Sequence, residues 1–157
     1  MPGIDTFKNN KSEMVDHIQK KNALTDMKNN ISGTYVWPYQ GEIAGFVSIS
    51  MYFLNRSLLK RSQMNKMRFS EIPVILLGQI ATHTDFQRQK LGREMVIWTL
   101  AQATKYSKKL GCRGVVLHCY PCLVNWYRDK CQFVHLNNTS EKGVRKNVMF
   151  FDILERT

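Results

Sequence analysis

Acidic residues are scarce in this chain: 12 Asp and Glu stand against 23 Lys and Arg over 157 residues, a formal charge of +11. A charge this far from neutral favours polyanionic partners, nucleic acid first. Solubility combined with one phosphate site is the plainer alternative. The basic residues gather at Lys20-Lys21, Arg56 to Arg68, Arg88 to Arg93, Lys105 to Lys109 and Arg145-Lys146. Long apolar runs are missing too. None approaches the ~20 residues a membrane-spanning helix needs, and the first residues, Met1-Pro2-Gly3-Ile4-Asp5-Thr6-Phe7-Lys8, lack the apolar stretch of a secretory signal. The chain is therefore expected to be cytoplasmic and not membrane-bound. With no internal repeat, low-complexity tract or Pro/Gly/Ser linker, residues 1–157 read as one domain.

Cysteine is also sparse, at positions 112, 119, 122 and 131. Cys119-Tyr120-Pro121-Cys122 has metal or redox spacing, with His118 and His135 close in sequence. A structural zinc needs four converging ligands, and Cys112 and Cys119 fall at opposite ends of an expected strand. No metal is expected, and the thiols read as free and buried. What the chain does have is 43% apolar and 11% aromatic content, enough for a globular core.

The most informative segment is Gln87-Arg88-Gln89-Lys90-Leu91-Gly92. It follows the apolar run Ile72 to Thr82, of strand length and nearly continuous, and precedes a helical pattern from Arg93 to Leu110 that Gly111 stops. A basic turn opening a helix at the end of a buried strand offers unpaired backbone N–H groups and a positive dipole end. That arrangement suits a phosphate-bearing ligand, with Arg88, Lys90 and Arg93 adding charge. Elsewhere, residues 8–30 carry a weak amphipathic pattern of two short helices. Thr34 to Trp37 forms a short strand ending at Pro38, Ile43 to Phe53 a strand, and Asn55 to Phe69 a loop or short helix. Gly114 to Tyr120 is a second buried strand and Leu123 to Lys130 a helix. Phe133 to Leu136 and Val148 to Leu154 are closing strands around a polar turn, Asn137 to Lys146.

With these elements in order, the chain resembles the GNAT superfamily of acetyl-CoA-dependent N-acetyltransferases. That family carries Gln/Arg-x-x-Gly-x-Gly/Ala after a central strand, then a tyrosine and a Gly-Phe some forty residues on. Here stand Gln87-x-x-Lys90-x-Gly92, then Asn125-Trp126-Tyr127 and Cys131-Gln132-Phe133-Val134. Lys90 and Gln132 replace the two usual glycines. The resemblance runs from about Tyr35 to Leu154 and is dense from Pro73 to Val134. Within the superfamily, Pro73 to Thr82, Glu42 to Ser48 and the basic connector between them are similar to the GNAT toxins of toxin–antitoxin modules. The usual Arg-Leu-Ala-Val of that group is here Gln79-Ile80-Ala81-Thr82.

The resemblance implies an α/β (α+β) GNAT fold. Its sheet would be mixed and mostly antiparallel, with a splayed central parallel pair, Ile72–Thr82 and Gly114–Tyr120, and helices on both faces. It implies acetyl transfer from acetyl-CoA to a primary amine by direct attack, with coenzyme A as product. The strand residues Ile80, Ala81 and Thr82 would meet the pantetheine arm through their backbone. Gln87, Arg88, Gln89, Lys90, Leu91, Gly92 and Arg93 would wrap the pyrophosphate. Tyr127 would be the general acid that protonates the leaving thiolate, and Asn125 either bonds the cofactor or caps its helix.

A general base is not evident: the central strand holds no Glu, Gln79 is neutral, and His83 and Asp85 lie past its end. His83 reads as a solvated or cofactor-adjacent polar residue rather than a base. An α-amine, with a pKa of roughly 8, needs a base less than a lysine at roughly 10.4. Three readings of the acceptor remain open: aminoacyl-tRNA, as in the toxin group; a protein or peptide α-amine or lysine; or none, the chain being a coenzyme A- or RNA-binding module. Arg56, Lys60, Arg61, Lys66 and Arg68, with Lys20 and Lys21, are the candidate RNA-facing residues. A small antitoxin-like protein is the implied partner, and the protein is expected to be a monomer or homodimer.

Overall fold

A computed structural model describes residues 2–156. The helices are α1 (Ser12–Gln19), α2 (Asn22–Lys28), α3 (Arg61–Met64), α4 (Leu91–Leu110) and α5 (Val124–Cys131). The strands are β1 (Gly33–Tyr39), β2 (Glu42–Asn55), β3 (Glu71–Thr82), β4 (Gly114–Cys119), β5 (Val134–Glu141) and β6 (Val144–Asp152). They form one mixed sheet in the order β1-β2-β3-β4-β6-β5, with one parallel pair. Among the described residues, no helix is long and apolar enough to cross a membrane. The chain divides into two compact units, residues 1–50 with 77–96 and residues 51–76 with 97–157.

In the first unit, α1 and α2 are the two short helices expected between residues 8 and 30. Ile18 and Ala23 pack with Phe7, Ile43, Phe46 and Ala81 in one cluster. His17 is buried there, stacked on Phe46 at 5.6 Å. Burial lowers its pKa from the ordinary value, with Asp26 opposing. β1 pairs antiparallel with β2, and the register slips between Trp37 and Pro38. The sequence expectation ends this strand at Pro38, yet it runs on to Tyr39. β1 lies at the sheet edge, where the missing proline N–H costs no ladder bond.

In the second unit, Leu54, Leu59, Ile72, Val74, Val116, Val148 and Phe150 make the core. Along α4, Thr99 and Ala103 are fully buried, and Gly111 at φ +73° ends the helix. The stretch expected as a loop or short helix between Asn55 and Phe69 holds a 3-10 turn, Arg56–Leu58, and the single turn of α3. Gly114 has no space for a side chain, since a Cβ there would stand 2.0 Å from the Phe151 carbonyl. The polar turn expected from Asn137 to Lys146 is instead most of a hairpin. β5 and β6 pair up to Glu141 and Val144, leaving only Lys142 and Gly143, both at positive φ, as the left-handed two-residue loop that matches strand twist. Those strand ends are exposed and hold together by backbone bonds, so no apolar alternation marks them.

Candidate phosphate loop and buried tyrosine

β3 delivers the chain to Thr82, and a 3-10 turn, Thr84–Phe86, leads to Gln87 and the head of α4. Arg88 and Lys90 both adopt the left-handed region, at φ 62° and 65°. For a residue with a Cβ this costs roughly 1–2 kcal/mol. Left-handed residues at close spacing shape concave rows of N–H groups that take anions. This row runs into a 20-residue helix whose first amides lack intrahelical acceptors. Glu94 N–H is bonded to the Lys90 carbonyl at 3.1 Å. Gln87, Arg88, Gln89, Lys90 and Arg93 are exposed, and Leu91 and Gly92 half-buried. Lys90 thus keeps the backbone geometry a glycine would supply and adds an ammonium.

Of the strand residues, Ala81 is core, while Ile80 and Thr82 are half-buried. The Thr82 carbonyl accepts from Asn9 Nδ2 at 2.8 Å and from Gln87 Nε2 at 3.5 Å. These bonds join the strand end, the loop and the N-terminal segment, and nothing in the local sequence around Asn9 signals them. Two residues earlier than Ala81, Gln79 buries its side-chain oxygen with no partner among the described residues. Such an acceptor costs about 1–3 kcal/mol unless a donor reaches it. The site therefore fits a ligand that carries both phosphate and N–H groups.

His83 is not solvated, being 4% exposed. Its Nε2–H donates to the Thr6 carbonyl at 3.2 Å, and its Nδ1 accepts the Asp85 N–H at 3.1 Å. The ring packs edge-on against Phe7 at 5.7 Å. With both nitrogens engaged, it has none left to take a proton from a substrate. A buried polar ring satisfied by local backbone is a packing element.

Asn125 and Tyr127 lie in the second unit, on α5. Asn125 is exposed and lies inside the helix, whose N-cap is Leu123 without a side-chain cap bond. Capping is thereby excluded for Asn125. Tyr127 is 4% exposed, with Trp126 edge-on at 4.9 Å and Phe133 at 5.8 Å. Its place is set by the helix end. Gln132 adopts φ 63°, and Phe133 N–H then reaches back to the Tyr127 carbonyl at 3.1 Å, satisfying an orphan helix carbonyl. Burial first, then the neighbouring Cys119 and Cys131, push the phenol above its ordinary pKa. The group stays neutral and holds its proton throughout the physiological range. Burial likewise pushes the Cys119 thiol up to about 11, which removes it as a nucleophile at neutral pH. None of the four cysteines forms a disulfide, and no group of His, Cys, Asp or Glu among the described residues is arranged to hold a metal ion.

The profile of the acetyltransferase (GNAT) family matches residues 5–133. Among solved structures, AtaT complexed with acetyl-methionyl-tRNAfMet superposes with a TM-score of 0.86 at 16% identity, covering 99% of this chain and 90% of that one. A tyrosine-to-phenylalanine variant of KacT gives 0.84 at 18% identity, covering 98% and 89%. AtaTR bound with AcCoA gives 0.75 at 16% identity, covering 98% and 88%. A search of curated proteins finds no significant match.

Proposed function

The chain belongs to the acetyltransferase (GNAT) family, and from that premise we propose that it acetylates the α-amino group of aminoacyl-tRNA. Acetyl-CoA is the cosubstrate and supplies an activated acetyl thioester. In this reading residues 1–157 act as one catalytic domain, and a small antitoxin-like protein is its partner, as AtaR is for AtaT.

One observation carries the acceptor. From Ile43 to Ser70 there is no Asp or Glu, and the stretch holds Arg56, Lys60, Arg61, Lys66 and Arg68. Arg56 is tied to the Met67 carbonyl, while the other four are exposed. Among them Phe53 and Phe69 are 63% and 72% exposed, and the Arg68 guanidinium lies 5.8 Å from the Phe69 ring centre. Cations interleaved with exposed aromatic rings suit a single-stranded nucleic-acid end, which offers phosphates and bases to stack. The likeness to AtaT with its acetylated tRNA supports the same reading.

Thiol release from acetyl-CoA, measured with aminoacyl-tRNA and with tripeptides, tests it. The expected result is turnover with aminoacyl-tRNA whose KM rises roughly 50-fold between 50 and 200 mM salt, as about four phosphate contacts would give. Equal turnover with tripeptides and a salt-independent KM would overturn the RNA assignment.

Lys90 offers a second test, on the cofactor. Lys90→Gly removes the ammonium while relieving the left-handed strain, so the two effects oppose. If the ammonium meets a cofactor phosphate, acetyl-CoA should bind about tenfold more weakly by calorimetry, the equivalent of one charge-assisted bond. Unchanged or tighter binding would leave Lys90 with a backbone role only.

A further inference from the structure

Acetyl transfer to an amine that is protonated in water needs a group to take its proton. The central strand supplies none, and His83 is wired into the core. We propose that His118, held by Glu141, is that group, a proposal that rests on the acetyl-transfer reading above.

The four histidines differ sharply. His17 is buried with Nε2 on the Thr34 hydroxyl at 3.2 Å, and His83 has both nitrogens engaged. The His135 Nε2 contacts both the Asn138 and Asn147 amides. His118 is different: its Nδ1 is bonded to the Glu141 carboxylate, and its side chain keeps 18% exposure. A carboxylate on Nδ1 fixes the tautomer with the lone pair on Nε2. Glu141 from β5 holds the ring and Tyr52 from β2 stands edge-on to it at 6.2 Å; β6, which sets Val148 opposite His118, carries Lys146 on the same face, its ammonium 3.6 Å from the Tyr120 ring centre. Glu141 is the last residue of β5, so the two-residue turn of the β5–β6 hairpin positions the carboxylate.

The position on β4 is the second argument. Successive strand residues point to opposite faces. Cys119 faces the side of Tyr127, whose phenol it perturbs; His118, one residue earlier, faces the side of Tyr52. The end of β4 therefore carries a proton acceptor on one face and a proton donor beside the other. An ammonium gives one proton to His118 Nε2, and the resulting amine forms the N–C bond to the acetyl carbon as the C–S bond breaks. The thiolate takes the Tyr127 proton, and the second proton leaving nitrogen restores the phenol. His118 returns its proton to solvent, so one proton is released per acetyl transferred.

The test is the pH dependence of kcat/KM with aminoacyl-tRNA between pH 6 and 8.5, for the full chain and for His118→Gln and Glu141→Gln. With His118→Gln the rate should fall about 100-fold near pH 6.5, and the deficit should shrink as pH rises and the amine sheds its own proton. Glu141→Gln, an exposed change that tests the same dyad if His118→Gln does not fold, should fall between the two with the same pH trend. A uniform loss at every pH, or no loss, would overturn the assignment. If Tyr127→Phe is impaired while both dyad variants match the native profile, only the base assignment fails. If the native protein releases no thiol with aminoacyl-tRNA, the acceptor reading itself fails and takes this proposal with it.

Discussion

Tyr127→Phe should lower kcat by about 100-fold or more, the usual worth of a positioned proton donor, with acetyl-CoA affinity within about twofold of the native value. The reasoning starts from packing. Phenylalanine keeps the ring that Trp126 and Phe133 hold edge-on and keeps the backbone carbonyl that receives the Phe133 N–H. Only the hydroxyl is lost, so stability should change by no more than about 1 kcal/mol. That hydroxyl is a neutral donor because burial, with Cys119 and Cys131, raises its pKa. A donor that is fully protonated in the resting protein throughout the working range adds no pH dependence of its own. The variant's pH profile should therefore be lowered but not reshaped, in contrast to His118→Gln. Single-turnover thiol release separates the cases: a native rate in the phenylalanine variant would reduce Tyr127 to core packing. Nor is Cys119 an acetyl carrier, since its thiol, pushed up to about 11 by burial, remains protonated at neutral pH.

Parts of this site are legible in the sequence because the chemistry that builds them is local. The run from Ile72 to Thr82 is apolar because the strand is buried, and the Gln87 to Gly92 turn is basic where a helix begins, so both could be located from residue type alone. Helix α4 starts at Leu91 rather than Arg93 because Lys90, in the left-handed conformation, already turns the chain into the first helical residue. The left-handed state of Arg88 had no sequence signal, since arginine does not ordinarily mark such a position. Pairings across the sheet were equally hidden. Asn9 and Thr82 are 73 residues apart, His118 and Glu141 are 23 apart, and each pair meets through tertiary structure that no local pattern encodes. His83 misled for the opposite reason. A histidine just past a strand end suggests a ligand, and only the packing of Phe7 and the Thr6 carbonyl reveals it as core.

Asp152→Ala should destabilise the protein by about 3–5 kcal/mol, because it strips the partner from a largely buried charge. Asp152 is 6% exposed and takes both arms of Arg113, each at 2.8 Å. It also accepts from Gln63 Nε2 at 2.9 Å and from the Leu154 N–H at 3.0 Å. The Arg113 side chain is only 16% exposed, so water cannot replace the carboxylate. The same arginine ties strand ends together through its backbone: its N–H donates to the Pro73 carbonyl near the start of β3 at 2.8 Å, and its carbonyl accepts from the N–H of Ile153, just past β6, at 3.0 Å. For a protein of this size each kcal/mol lowers Tm by about 2–4 °C, so the alanine variant should melt roughly 6–20 °C below the native protein. Asp152→Asn keeps an acceptor for Gln63 but not the charge, and should lie between. Removing both charges together, as in Arg113→Met with Asp152→Leu, should recover much of the loss, since a buried pair weighs its attraction against a large desolvation cost. Urea and thermal melts give these values directly. An alanine variant within about 1 kcal/mol of native would mean that solvent screens the pair, despite its burial. Per folded molecule, the Asp152 variants should keep native kcat, because the network braces β3, β4 and β6 without touching the phenol of Tyr127.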